Sequence, residues 1–193
     1  SNNYVSKITE DQFGMMWFAS EGAVNRFDGK NFKHFKPGER YAQLLNENIE
    51  SVFIDKKEKV WVGTKSGGVS IYDPITDSFE NLNDKLLKGA GEAVIQISDF
   101  AEDAKGNIWV STWGRGLFLL SSDRHELIAS FLDGVTIQDI ELDQWGNLWI
   151  AGNHNLYRYD ATAKHVEKLS VSITGMMALL YESSTQQLLI GTA

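Results

Sequence analysis

One motif recurs along the chain every 40 to 48 residues, and this repetition limits the possible folds more than any other feature. Four copies align without gaps: Asp11-Gln-Phe-Gly-Met-Met-Trp17-Phe-Ala-Ser, Asp55-Lys-Lys-Glu-Lys-Val-Trp61-Val-Gly-Thr, Asp103-Ala-Lys-Gly-Asn-Ile-Trp109-Val-Ser-Thr and Asp143-Gln-Trp-Gly-Asn-Leu-Trp149-Ile-Ala-Gly. A fifth, degenerate copy reads Ser183-Ser-Thr-Gln-Gln-Leu-Leu189-Ile-Gly-Thr192. From Trp17 to Trp61, Trp109, Trp149 and Leu189 the steps are 44, 48, 40 and 40 residues. A period of about 40–50 residues is that of propeller blades.

The flanks repeat as well. Twelve residues before the tryptophan position stand Val5, Ile49, Ile97, Ile137 and Met177; nine before it stand Ile8, Val52, Phe100, Ile140 and Leu180. These positions mark a first strand in each unit. The tryptophan lies on a second strand whose neighbours, such as Val60 with Val62 and Ile108 with Val110, are apolar on both faces. Such a strand is covered on both faces, as in a blade packed between two others. Turns at Gly67-Gly68 and Gly114-Arg115-Gly116 lead to third strands ending near Phe27, Tyr72, Leu120 and Tyr159, and tight turns lead on to fourth strands near Phe35, Leu82, Leu127 and Leu169. Four antiparallel strands make one propeller blade. The fold class is therefore all-β, with blades over about 4–37, 48–83, 94–132 and 135–170 and a half blade over 175–193. Residues 83–93 read as a long connection with room for one helical turn, since Gly89 and Gly91 disfavour a helix interior. Pro37 and Pro74 fall in connections, as a sheet protein requires.

Composition narrows the function. With 18 Lys plus Arg against 26 Asp plus Glu, the net charge is −8, which argues against nucleic acid and against direct contact with an anionic membrane. The absence of cysteine excludes a disulfide framework and thiol chemistry. His34, His125, His154 and His165 show no metal-ligand spacing, and no phosphate-binding loop or nucleophile elbow occurs, so no metal or cofactor is expected.

The pattern Asp-x-x-Gly-Asn-Ile/Leu-Trp-Val/Ile, followed by Gly-Gly-Val/Leu and an aromatic-Asp pair, resembles the two-component regulator propeller repeat over about Val5 to Thr192. Glu58 and Gln186 stand in place of its glycine, Ser183 in place of its aspartate and Leu189 in place of its tryptophan. The resemblance implies the periplasmic sensor region of a hybrid histidine kinase of the kind that regulates polysaccharide use in gut Bacteroidetes. It also implies an oligosaccharide or other small-molecule ligand, and a membrane helix with kinase and receiver domains elsewhere in the parent protein. The fifth unit reaches only its second strand, so the expectation is an incomplete arc of about four and a half blades. Its partners would be the remaining blades of the parent, and its open faces would favour self-association.

One tryptophan per unit at a fixed strand position reads as core before it reads as a sugar platform. The repeated Asp11, Asp55, Asp103 and Asp143 read as turn caps before they read as metal ligands. The Glu10-Asp11 and Glu102-Asp103 pairs cannot flank a glycosidic bond, because neighbours on a strand point to opposite faces. Residues that break the repeat are the better site candidates. If the first and second strands join on one face, the opposite face carries Glu21, Lys65, Trp113, Arg115, Asn153 and His154 from turns, and Arg40 with Tyr41 from a loop. Of these, Trp113, Arg115, Arg40, Tyr41, Asn153 and His154 form the expected ligand site. Trp113 beside Arg115 suits stacking on and hydrogen bonding to a sugar; the competing reading folds Trp113 over its own blade. No catalytic residue is expected. Two other classes stay open: a propeller lyase acting on a polysaccharide or macrolactone, and a propeller used only for protein interaction.

Overall fold

The computed structural model describes residues 4–38, 40, 41, 43, 44, 46–83, 95–124, 126–171 and 173–193. Most of the connection expected over 83–93, and His125, lie outside them. The strands follow the repeat. Blade 1 is β1 (Val5–Glu10), β2 (Met16–Ser20), β3 (Ala23–Phe27) and β4 (Phe32–Phe35); blade 2 is β5 (Ile49–Ile54), β6 (Val60–Thr64), β7 (Val69–Asp73) and β8 (Ser78–Asn81). Blade 3 is β9 (Ile97–Glu102), β10 (Ile108–Thr112), β11 (Leu117–Leu120) and β12 (Leu127–Phe131). Blade 4 is β13 (Ile137–Leu142), β14 (Leu148–Gly152), β15 (Leu156–Asp160) and β16 (His165–Lys168), and β17 (Met176–Glu182) pairs with β18 (Gln187–Thr192). Each four-stranded sheet is a meander in chain order, antiparallel where its register is described. The chain divides into two compact units, Ser1–Phe100 and Ala101–Ala193.

In the first unit the tryptophans face the blade that follows. Trp17 stacks on Phe35 at 5.4 Å and meets Tyr72 of blade 2 at 5.6 Å, and Trp61 meets Phe100 at 5.9 Å. All five residues of β6 are buried, as expected for a strand apolar on both faces. β6 packs tightly on β9 at Gly63, where a Cβ would stand 2.5 Å from Ile97 Cγ2, so only glycine fits. In the second unit Trp109 makes an edge contact with Tyr159 of blade 4 at 4.7 Å.

The repeated aspartates cap their turns. In all four blades one carboxylate oxygen accepts the backbone N–H groups two and four residues on, at 2.8–3.0 Å. The other oxygen accepts the indole N–H six residues on in blades 1, 2 and 4, at 2.9, 2.9 and 3.3 Å. The motif thus ties turn to core, which explains why Asp and Trp recur together. Glu58, in place of the motif glycine, takes the same left-handed conformation (φ 59°) as Gly14, Gly106 and Gly146.

The fifth copy corrects the sequence reading. A fixed offset from Leu189 puts Met177 and Leu180 on the core face, yet they are 54% and 55% exposed, whereas Met176 and Leu179 are 1% and 7% exposed. The register gives the reason: Tyr181 pairs with Leu188 as Leu142 pairs with Leu148, so six residues join them instead of five. The extra residue admits one more pair, Glu182 with Gln187. Glu182, and not Ser183, then takes the place of the capping aspartate, and its carboxylate accepts the Ser184 N–H at 3.0 Å.

Candidate functional site

In a meander, successive turns lie at opposite ends of the sheet. The aspartate-capped turns occupy one end of each blade, and the β2–β3, β6–β7, β10–β11 and β14–β15 turns occupy the other, here called the rim. Local chemistry builds the rim. Three residues after the tryptophan, Thr64 Oγ1 accepts the Gly67 N–H at 2.8 Å and donates to the Gly68 carbonyl at 3.2 Å. Thr112 repeats this with the Arg115 N–H at 3.2 Å and the Gly116 carbonyl at 2.7 Å, and Ser20 donates to the Ala23 carbonyl at 2.9 Å. These hydroxyls close the turns from inside.

One residue further on, the backbone is held from outside. Lys65 N–H donates to the Asn48 carbonyl at 3.0 Å, Asn153 N–H to the Thr136 carbonyl at 3.3 Å and Ala193 N–H to the Gly175 carbonyl at 2.9 Å. Each carbonyl belongs to the residue just before a first strand. Glu21 bridges Asn48 in the same region. Glu21, Lys65, Trp113 and Asn153 are therefore one position in four successive blades.

In the second unit, Trp113 is 40% exposed, Arg115 is half-buried, and Asn153 and His154 are exposed. The 132–136 connection joins their two turns. Gly116 N–H donates to the Val135 carbonyl at 3.1 Å, Thr136 accepts from Asn153, and Thr136 Oγ1 lies 4.0 Å from where a Cβ on Gly114 would stand. Gln138 Nε2 donates to Asn153 Oδ1 at 2.7 Å. Thr136 and Gln138 escaped the sequence reading because neither breaks a motif. In the first unit the rim charges are paired, with Lys65 Nζ 3.0 Å from Glu50 Oε1.

Arg40 and Tyr41 do not join the rim. The Tyr41 ring is buried between Phe35 and Phe79, at 5.4 and 5.5 Å, and its hydroxyl donates to Asp77 at 3.3 Å. Arg40 pairs with the same carboxylate. Asp77 lies in the β7–β8 turn, at the opposite end of blade 2 from Lys65. The sequence placed the two residues wrongly because an irregular connection has no periodicity to show which way its side chains turn. Lys33 Nζ at 2.7 Å and the Tyr72 hydroxyl at 2.8 Å complete the set on Asp77.

The Lys33 hydrogen bond, aided by those from Tyr72 and Arg40, outweighs partial burial and holds Asp77 well below the usual carboxylate range. Burial, then the bond to Asp77, pushes the Tyr72 hydroxyl up. A carboxyl whose folded pKa is depressed contributes stability above its unfolded pKa of about 3.9 and loses it as pH falls toward the folded value. Asp77→Asn should therefore be less stable than wild type at pH 7 and lose less further stability below about pH 4. Urea unfolding against pH tests this, and parallel curves for the two proteins would contradict it.

Blade 1 carries a further concavity of about 740 Å³ on the face turned away from Trp17, lined by Val5, Phe18, Asn25, Phe32 and His34 among others. The register places Phe18, Asn25, Phe32 and His34 where blade 2 has Val62, Ser70, Phe79 and Asn81. In blade 2, Val62 and Phe79 share the buried cluster that contains Trp17 and Phe35. Among the described residues, no three His, Asp or Glu side chains gather as a metal site, and no helix is long and apolar enough to cross a membrane.

Comparison with known proteins agrees with the fold and the motif. Residues 92–114 match the family described as two component regulator propeller. Histidine kinase P4 of Formosa agariphila is 28% identical over a 168-position alignment that covers 79% of this chain and 12% of that protein. The extracellular domain of BT4673 from B. thetaiotaomicron is 19% identical in two structures, where the protein is assigned as a one-component or a hybrid two-component system. The TM-scores are 0.80 and 0.77, covering 97% and 98% of this chain and 26% and 28% of the other. Virginiamycin B lyase from Staphylococcus aureus shares the fold at TM-score 0.69 and 10% identity, over 97% of this chain and 69% of that one. The chain thus spans about an eighth of the curated relative and about a quarter of the BT4673 domain. The fold is that of β-propeller blades, and within it residues 92–114 match the two component regulator propeller model.

Proposed function

We propose that this chain is part of the extracytoplasmic, periplasmic sensor region of a hybrid two-component regulator, and that it binds an oligosaccharide at its rim without transforming it. The observation that carries this reading is the rim of the second unit. Trp113, Arg115, Asn153 and His154 all stand on one edge of a scaffold whose repeat is that of two-component regulators. An exposed indole packs on a pyranose face, and guanidinium, amide and imidazole groups hydrogen bond to hydroxyls. The likeness to the histidine kinase and to BT4673 supports the sensor assignment. The likeness to the lyase is one of fold, and fold does not carry chemistry.

The remaining blades of the parent protein are the proposed partners. Blade 1 offers Phe18 and Phe32 at the places where blade 2 offers Val62 and Phe79 to Trp17 and Phe35, so a preceding blade with an indole on its second strand fits this face. Calorimetric titration of the chain with a panel of defined oligosaccharides tests the ligand class. Saturable binding of at least one is expected, and binding of none would overturn it.

A further inference from the structure

Resting on that reading, we propose that the residue four places after the second-strand tryptophan is the position at which a blade meets its ligand. In the second unit, Trp113 at this position is the stacking platform of a site for neutral oligosaccharides, completed by Thr136 and Asn153. The fold fixes the backbone of this position and leaves its side chain open. The residue before it is a small residue at the base of the turn in all four full blades, with a turn-closing hydroxyl in three: Ser20, Thr64 and Thr112. Its own N–H is bonded to the carbonyl ahead of a first strand in the Lys65, Asn153 and Ala193 copies. Because backbone atoms make that bond, any side chain satisfies it, and the copies carry Glu21, Lys65, Trp113, Asn153 and Ala193. A rim position that is held in place but free in chemistry is where recognition can vary without loss of the fold.

Two of these side chains are held by the second residue of the first strand, Lys65 by Glu50 and Asn153 by Gln138. Trp113 is instead a large aromatic left 40% exposed at a rim position. Thr136 sits between its turn and that of Asn153, close to Gly114 and bonded to Asn153. An indole beside a hydroxyl and an amide pair offers one apolar face with uncharged donors and acceptors, which suits a sugar ring and its hydroxyls. Arg115, two residues after Trp113, supplies a single cation that can hydrogen bond to hydroxyls, while the net charge of −8 opposes the approach of a polyanion, so the ligand is a neutral saccharide and not a polyuronate.

The test uses the 193-residue chain titrated calorimetrically with neutral gluco-, xylo- and manno-oligosaccharides and with oligogalacturonates. A neutral member should bind. Trp113→Ala should weaken it about 30-fold, as truncation of a central aromatic anchor does, and Asn153→Ala by about 5-fold, as loss of a neutral hydrogen bond does. Trp113→Phe should restore most of the loss, and the melting temperature of Trp113→Ala should stay within about 2 °C of wild type, as for a surface substitution. Binding of a neutral saccharide that is indifferent to Trp113→Ala would overturn this inference while leaving the sensor reading intact. Binding of oligogalacturonate alone would overturn the neutral class. A large fall in melting temperature would show that Trp113 is a packing residue of its own blade and overturn its role.

Discussion

Replacing Trp61 by alanine should lower the unfolding free energy by about 4 kcal/mol, the range for deleting a fully buried indole. Trp61 is fully buried in a strand with no exposed residue, its ring lies 5.9 Å from that of Phe100, and its N–H donates to Asp55 at 2.9 Å. The substitution removes the largest side chain of β6 and opens a cavity beside Phe100 of β9. Relaxation is limited there, because Gly63 already brings β6 against Ile97. In a chain of this size the loss corresponds to a fall of about 10 °C in melting temperature, readable by circular dichroism or calorimetry. A loss below about 1 kcal/mol would contradict the placement of the repeated tryptophan as core.

Asp55→Ala should be nearly as damaging, at about 3–4 kcal/mol, because its carboxylate satisfies three donors at once. Lys57 N–H, Lys59 N–H and the Trp61 indole N–H all donate to it at 2.9 Å, and the residue is only 4% exposed. Alanine would strand these donors where water reaches poorly, and a buried donor left unpaired costs about 1–3 kcal/mol. Asp11→Ala removes the same kind of cap from blade 1, but Asp11 is more exposed and water can replace part of what is lost. Its effect should be smaller. Since Asp55 and Trp61 share a bond, their substitutions should not add, and the double variant should be more stable than the sum of the single losses implies. Urea unfolding of the three variants measures this, and strict additivity would show that the bond contributes nothing.

Most of the scaffold was legible because one physical requirement repeats. A second strand between two blades needs apolar residues on both faces, and its turn needs an acceptor, so Asp and Trp recur at a fixed separation in four copies. Where that separation changes, the reading slips: one extra residue ahead of Leu189 shifts the first strand, so Met176 and Leu179 are buried in place of Met177 and Leu180. The rim was legible for the same reason as the core. Glu21, Lys65, Trp113 and Asn153 share one offset from the tryptophan, so they share one place. Arg40 and Tyr41 were not legible, since the carboxylate they meet, Asp77, is 37 and 36 residues away in sequence. Thr136 stayed hidden because its role comes from a backbone carbonyl and from a neighbouring glycine, neither of which leaves a mark on residue type.

The sensor proposal is tested most directly by phosphorylation of the full-length hybrid regulator it calls for, reconstituted in vesicles, with an oligosaccharide found to bind the chain added on the propeller side. The sugar should change the level of histidine phosphorylation, and Trp113→Ala should remove the response. Phosphorylation that ignores every saccharide found to bind the chain, or a full-length protein without a phosphorelay, would contradict the sensor proposal.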